Sequence, residues 1–317
     1  MIIWRTHVAK SSGLNTRRAL ARATAAALTA ALVATGASSA VAADEPGPSA
    51  SRPHVDLKPS GPTKYGATAL PGDAPINPLF GVDSRGELYG NWPDAEGGIE
   101  PRYYAGEGWQ GARAMTQADH DADGYSDGIW HVTSTGQLYH LLWDSEDHQF
   151  IGNGWKIYNQ LVSPSNVGGG AADDLLARDG SGVLWLYLGY GNGKLTQRYK
   201  VGSGWNAYTH ITGKGDLTGD GKDDIVAKDT SGVLWLYKGT GNYKAPFSSR
   251  ARIGAGWNTY NSVVSVGDID IDGVTDLIAR DKAGALWLYK GTGNASAPFK
   301  SRVKIGNSGW NTYRLFF

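Results

Sequence analysis

From about residue 76 onward the apolar positions fall in short runs that break and restart on a fixed plan. "DLLARD", "DIVAKD" and "DLIARD" begin at Asp174, Asp224 and Asp276, and each leads through a D-x-x-G link into "VLWLY" or "ALWLY". Alternation of Leu/Leu with Trp/Tyr has the period of a strand, and the link's glycine supplies the positive φ of a tight hairpin. A third run, "SRARIG" or "SRVKIG", precedes a Gly-Trp pair, and a fourth follows it in "NTYNSVVSVG". The pattern predicts four strands in about fifty residues and no helix.

Two markers recur in one phase. Gly-Trp returns at Trp109, Trp155, Trp205, Trp257 and Trp310, spaced 46, 50, 52 and 53 residues apart. The hairpin motif returns at Asp83, Thr133, Asp179, Asp229 and Asp281. Five repeats of an all-β unit predict a five-bladed β-propeller of four-stranded antiparallel blades, with repeats at about 76–117, 118–165, 166–214, 215–266 and 267–317. A solenoid fits poorly, since every unit carries hairpin turns and none a helix. Trp185, Trp235 and Trp287 lie mid-strand and are expected in the core between blades. The first repeat opens on its second strand, "INPLFGVD", and the chain stops one strand after the last Gly-Trp. The C-terminal strand is therefore expected to complete the first blade and remove an exposed sheet edge.

Composition adds the setting. There is no cysteine, which excludes a disulfide scaffold and thiolate chemistry, and 30 basic residues balance 30 acidic ones, leaving no field for nucleic acid. Arg5, Lys10, Arg17, Arg18 and Arg22 precede an uncharged, small-residue stretch ending in Ala40-Val41-Ala42. Residues 1–43 thus read as a secretory signal peptide, with "TRRALAR" as a loose twin-arginine match and the export route open. Too few strongly apolar residues lie there for a membrane span. Residues 44–75 read as a Pro/Ser-rich linker, and the mature chain as secreted, extracellular and mildly acidic.

One loop carries candidate chemistry. "DIDIDGVTD" places Asp268, Asp270, Asp272 and Asp276 at positions 1, 3, 5 and 9, glycine at 6 and the Val274 carbonyl at 7. Hard oxygen ligands in that spacing suit Ca²⁺. "DHDADGYSD" repeats it with Asp119, Asp121, Asp123, the Tyr125 carbonyl and Asp127, and "DLTGDGKDD" with Asp216, Thr218, Asp220, the Lys222 carbonyl and Asp224. Position 12 is Trp130, Ala227 or Ala279 where an EF-hand needs glutamate, and strands flank the loops. The third repeat ("NVGGGAADD") has Asn166, Gly168, Gly170 and Asp174 at the ligand positions and has lost the cage, and the first ("ALPGDAPIN") keeps no acid in register. Three calcium sites are expected, all between the first and second strands of their blades. That shared address, with no nucleophile or base recurring beside it, makes the metal structural.

The D-x-[DNT]-x-D-G-x-x-D loop followed by an apolar strand resembles the FG-GAP/VCBS repeat of integrin-type propellers and many secreted bacterial proteins. "GSGWNAY" and "IGNSGWNTYRLFF", with D-x-x-G-x-L-x-x-Y, resemble tachylectin-type five-bladed lectin propellers. Between them the resemblances span residues 76–317. They imply a circular, calcium-stabilised propeller used for carbohydrate binding or adhesion. Five repeats and fewer metal loops depart from the integrin pattern, so an integrin-like ligand mode is not carried over.

Three functions compete. A non-catalytic, multivalent lectin would place aromatic faces and amides in recurring pockets: Trp155, Trp205, Trp257 and Trp310 at the corners, and Asn192, Asn242 and Asn294 with Tyr190 and Tyr243 in the "GYGNGK", "GTGNYK" and "GTGNAS" loops. The blander reading makes the tryptophans structural and the asparagines mere turns. A protein-binding scaffold or targeting subunit of a secreted enzyme or toxin would use the divergent first two repeats and their acids Asp94, Glu96, Glu100, Asp144, Glu146 and Asp147. An enzyme is disfavoured, because the histidines show no triad or ligand spacing. A glycan-binding module is the expectation, with glycans or cell-surface polysaccharide as partner and a secreted protein as the alternative.

Overall fold

A computed structural model describes residues 74–94, 96–143, 145, 147–170 and 172–317. The signal peptide expected over 1–43 and the linker over 44–75, save its last two residues, lie outside the described residues, as do Asp144 and Glu146. The rest forms five antiparallel sheets. The first blade holds β1 (Leu79–Asp83), β2 (Leu88–Asn91) and β3 (Tyr103–Gly106). The second has β4 (Ala112–Ala118), β5 (Gly128–Thr133), β6 (Leu138–Leu142) and β7 (His148–Gly152). The third has β8 (Tyr158–Val162), β9 (Leu175–Asp179), β10 (Leu184–Tyr187) and β11 (Tyr199–Gly202). The fourth has β12 (Tyr208–Thr212), β13 (Ile225–Asp229), β14 (Leu234–Tyr237) and β15 (Ala251–Gly254). The fifth has β16 (Tyr260–Val264), β17 (Leu277–Asp281), β18 (Leu286–Tyr289) and β19 (Val303–Gly306), after which β20 (Tyr313–Phe316) returns to the first. No α-helix occurs among the described residues, and none there is long and apolar enough to cross a membrane.

Ring closure is as the sequence predicts. β20 pairs antiparallel with β1 through Gly81↔Phe316 and Val82↔Leu315, and Phe80 and Phe317 exchange backbone hydrogen bonds of 2.7 and 3.0 Å. Their rings stack with centroids 5.6 Å apart, and Phe317 is buried. Phe317→Ala is expected to cost about 3 kcal/mol, since it removes a core aromatic at the ring's only seam. A denaturant titration giving a stability loss under about 1 kcal/mol would show the seam to be held elsewhere.

The two sequence markers share a phase because they touch. Each Gly-Trp forms a one-turn 3-10 segment whose glycine (Gly108, Gly154, Gly204, Gly256, Gly309) has φ between 85° and 96°, a conformation that side chains resist. The tryptophan N–H then donates to the hairpin glycine of the preceding blade: Trp205 to Gly182, Trp257 to Gly232 (2.9 Å each) and Trp310 to Gly284 (3.2 Å). In "LWLY" strands the leucines are buried in the inter-blade clusters. Trp185, Trp235 and Trp287 are only half-buried, packing on the core with one side while Nε1 donates to Asp179, Asp229 and Asp281 at 2.8 Å.

A belt of cross-blade bonds runs around the aspartate-loop end. Its anchors are Asn77 in the first blade and, in the others, the residue just before the last loop acid: Ser126, Asp173, Asp223 and Thr275. Ser126 N–H donates to Asn77 Oδ1 (2.7 Å), and Asn77 Nδ2 to the Val266 carbonyl (3.1 Å). Asp173 accepts from Asp119 N–H (2.9 Å), Asp223 from Asn166 N–H (2.8 Å), and Thr275 donates to the Lys214 carbonyl (2.9 Å). Lys214 itself is 3% exposed and ion-paired with Asp173. The innermost strands leave a central cavity of about 150 Å³, lined in part by Thr116, Ser163, His210 and Lys214.

Candidate functional site

The aspartate loops share one backbone plan, and their positions divide the labour. Position 1 ties the loop together: Asp119 accepts from Ala122 and Gly124 N–H (2.7 and 2.9 Å), Asp216 from Gly219 and Gly221, and Asp268 from Ile271 and Gly273. Position 9 ties it to the next strands: Asp224 accepts from Gly239 N–H (2.8 Å) and Asp276 from Gly291 N–H (2.7 Å). The third blade makes the same loop with Asn166 and Asp174, whose acceptors hold Gly169, Gly170 and Gly168 N–H. The loop shape therefore needs no carboxylate at positions 3 and 5.

A cation would account for those extra carboxylates. Asp119, Asp121 and Asp127 bring one oxygen each within 4.8 Å of one another, and so do Asp268, Asp270 and Asp276. Asp270 Oδ1 is buried with no hydrogen-bond partner. Burial, with Asp173 nearby, raises the Asp119 carboxyl to about 7; burial likewise raises Asp127 to about 6 and both Asp268 and Asp276 to about 7. Ala122 and Ile271 hold φ of 59° and 58° at position 4, where the other two loops have glycine. For a β-branched residue that conformation is strained, so the loop around it must be held firmly. An all-oxygen group of this kind fits a hard divalent cation such as Ca²⁺.

The loops differ in their neighbours. Lys290 Nζ lies 2.8 Å from Asp270, Lys300 3.3 Å from Asp272, and Lys238 2.9 Å from Asp220. The second blade has Leu142 where the fourth has Lys238. Among the described residues, the expected ligands Asp216, Asp220 and Asp224 do not form such a three-carboxylate group, and Asp123 and Asp272 stand outside the groups of their loops. The carbonyl positions Tyr125, Lys222 and Val274 each follow a glycine with φ of 77° to 87°.

The expected ligand-binding residues separate. Asn192, Asn242 and Asn294 lie in the links between third and fourth strands, exposed, with each side-chain oxygen accepting from an N–H two residues on. The Gly-Trp turns lie at the opposite end of those fourth strands. Trp155, Trp205 and Trp257 are each 6% exposed, packed at a tilt on Tyr187, Tyr237 and Tyr289 with centroids 4.6 to 4.8 Å apart. At the equivalent place in the first blade stands Asn91. Trp310 therefore loses that partner and stays half-buried. A groove of about 550 Å³ opens there between the fifth and first blades, lined by Trp310, Tyr313, Asn91, Glu100, Arg102 and Ile305 among others. Asn91 Oδ1 has no hydrogen-bond partner, and Arg102 stacks over Tyr89 (4.3 Å) and donates to the Tyr313 hydroxyl (3.3 Å). Neither Asn91 nor Arg102 is found from the repeat pattern; the signal was the one repeat in which the LWLY tyrosine becomes asparagine.

Histidines also gather where sequence spacing showed nothing. His120 and His140 place Nε2 atoms 2.7 Å apart, and His131 Nε2 lies 3.1 Å from His148 Nδ1, all on the second blade. Burial lowers His120 to about 4 and His131 and His140 to about 3, so these three are neutral at physiological pH. The first pair joins the β4–β5 loop to β6 and the second joins β5 to β7 across β6, so sequence distance hid both.

Residues 216–279, covering the fourth blade's loop to the fifth blade's second strand, match the model of the FG-GAP-like repeat. No curated protein matches the chain. Among solved structures it is similar to BP39L lectin from Burkholderia pseudomallei (13% identity over 76% of this chain and 72% of that one, TM-score 0.45). It is similar also to AofleA from Arthrobotrys oligospora (8%, 76% of each chain, TM-score 0.43) and to human WBSCR16 (10%, 69% and 61%, TM-score 0.33). The class defined by the fold is a five-bladed β-propeller, in which residues 216–279 match the FG-GAP-like repeat.

Proposed function

We propose that the chain is a secreted, calcium-stabilised propeller that binds carbohydrate without catalysis. The groove between the fifth and first blades carries this reading. It sets a half-buried indole beside a fixed guanidinium and a carboxylate, over a buried Asn91 where three other blades have tyrosine, and pyranose rings are held by an aromatic face and planar polar groups at the ring edge. Tyrosine fills the equivalent space in the third to fifth blades, so one groove, rather than five equal pockets, is the neutral-sugar site. The basic leader and its A-x-A end support secretion.

The test is a glycan array and insoluble cell-wall polysaccharides screened with the full chain in millimolar Ca²⁺, with free sugar as competitor. Trp310→Ala is expected to weaken binding at least tenfold, about 1.4 kcal/mol. Asn91→Tyr should restore the packed corner and close the groove while leaving the melting temperature unchanged or higher. Binding that survives both substitutions would move the site elsewhere. A protein-binding role has one observation of its own: of six large exposed apolar side chains, four (Tyr104, Leu142, Phe150 and Ile157) lie between β3 and the turn that precedes β8, the others being Tyr190 and Val303. Pull-down of a secreted protein with no glycan competition would favour it.

A further inference from the structure

The outermost strands of three blades carry the same basic construction. Arg198, Arg250 and Arg302 each precede that strand, and each lays its guanidinium over the half-buried tryptophan of its own blade. The distances are 4.1 Å to Trp185, 4.0 Å to Trp235 and 4.2 Å to Trp287. Each also donates to a tyrosine hydroxyl, Tyr158 (3.0 Å), Tyr208 or Tyr260. Those hydroxyls bond in turn to Tyr187, Tyr237 and Tyr289.

A second cation stands two residues on. Lys200, Arg252 and Lys304 pair across the sheet with the same tryptophans, which puts both cations on one face. All six side chains are exposed, and none makes a salt bridge among the described residues. The carboxylates Asp179, Asp229 and Asp281 are engaged instead with the tryptophan Nε1 and the hairpin amides.

An unpaired arginine usually samples many rotamers. Here stacking and one hydrogen bond immobilise it, and the rest of its donor fork points outward with the ordering cost already met. Such a fork matches the two oxygens of a carboxylate, sulfate or phosphate. Three copies repeated around a ring would engage a polymer with regularly spaced charges far better than a monomer. In the second blade His148 and Phe150 replace the pair, and in the first only Arg102 remains, beside Tyr104.

We propose that Arg198–Lys200, Arg250–Arg252 and Arg302–Lys304 are three equivalent oxyanion-binding stations for an acidic polysaccharide. The polymer's being a glycan rests on the function proposed above; the stations themselves are separate from the Trp310 groove.

The test measures binding of the full chain to immobilised heparin (sulfate), polygalacturonate (carboxylate) and dextran (neutral) in low salt with Ca²⁺. Binding to at least one polyanion is expected, weakening steeply as NaCl is raised, because exposed charge contacts are screened. The triple variant Arg198→Gln, Arg250→Gln, Arg302→Gln should lose at least 30-fold in affinity. The matching Arg→Lys triple keeps the charge without the fork and should lie between. Melting curves of both variants separate lost contacts from lost fold. Comparing heparin with polygalacturonate tells sulfate from carboxylate recognition. Unchanged polyanion affinity in the glutamine triple, or a stronger preference for single-stranded DNA than for either glycan, overturns the proposal. Absence of polyanion binding while a neutral glycan still depends on Trp310 overturns the stations and leaves the groove standing. Absence of binding to every glycan overturns both.

Discussion

Chelation with excess EGTA is expected to lower the melting temperature of the chain by roughly 10 °C or more. Two sites at a hundred times Kd would contribute about 2.7 kcal/mol each, and a domain of this size loses about 2–4 °C per kcal/mol. The effect should depend on the middle carboxylates, because positions 1 and 9 are needed for the loop's own hydrogen bonds. Asp121→Asn should remove more of the calcium response than Asp270→Asn, since Lys290 stands 2.8 Å from Asp270 as a tethered competitor.

The response should also depend on pH. In the metal-free chain burial holds Asp119, Asp268 and Asp276 near 7 and Asp127 near 6, against an ordinary 3.8 when unfolded. Between those values the folded chain binds more protons than the unfolded one, so metal-free stability falls as pH rises from about 4 to about 7. A bound cation takes the protons' place. The gap between calcium and EGTA melts should therefore widen from about pH 5.5 to about pH 8. Identical melts in calcium and EGTA at the higher pH would sink the metal reading.

Lys214→Met is expected to be the most damaging single change away from the metal loops, at about 3–5 kcal/mol. Its amine is buried against Asp173, which also accepts from Asp119 N–H and Ser163 Oγ and so joins three blades. Without the lysine, the Asp173 carboxylate is left buried beside Asp223, itself raised to about 7 by burial and by Asp173. Adding Asp173→Asn should recover much of the loss, because the amide oxygen still accepts both bonds while the buried charge is gone. Chemical denaturation of the two variants decides it: a double variant no more stable than the single would place the damage in lost packing rather than in a stranded charge.

The fold was legible for particular reasons. The Leu/Trp alternation and the D-x-x-G links are local signals, and the Gly-Trp pair marks a left-handed turn that only glycine makes easily. Their shared phase follows from a contact, Trp N–H to the hairpin glycine one blade back, that each repeat must make. The aspartate loops were legible as well, since their carboxylates come from nine consecutive residues. The candidate groove was not. It depends on Asn91 standing where three blades have tyrosine, and on Trp310 lying beside it although 219 residues away. Spacing named Trp310 only as one of four equivalent corners and did not point to Asn91. The asparagines expected as ligands cap their own turns, a role Gly-Asn pairs share with binding loops and which sequence alone does not separate.

By itself the sequence determined the repeat, the strand order within it, the closing strand and the loops able to gather carboxylates. All of these rest on interactions within one repeat or between equivalent positions of neighbouring repeats. The tertiary structure decided which repeat-breaking residues meet: one open groove at the seam, two histidine pairs on the second blade, a buried lysine bracing the belt, and arginines fixed on tryptophans along the outer strands. Repetition makes equivalent positions predictable from any one copy, whereas function on a ring arises where copies differ, and a difference acquires meaning only from the side chains that closure packs against it.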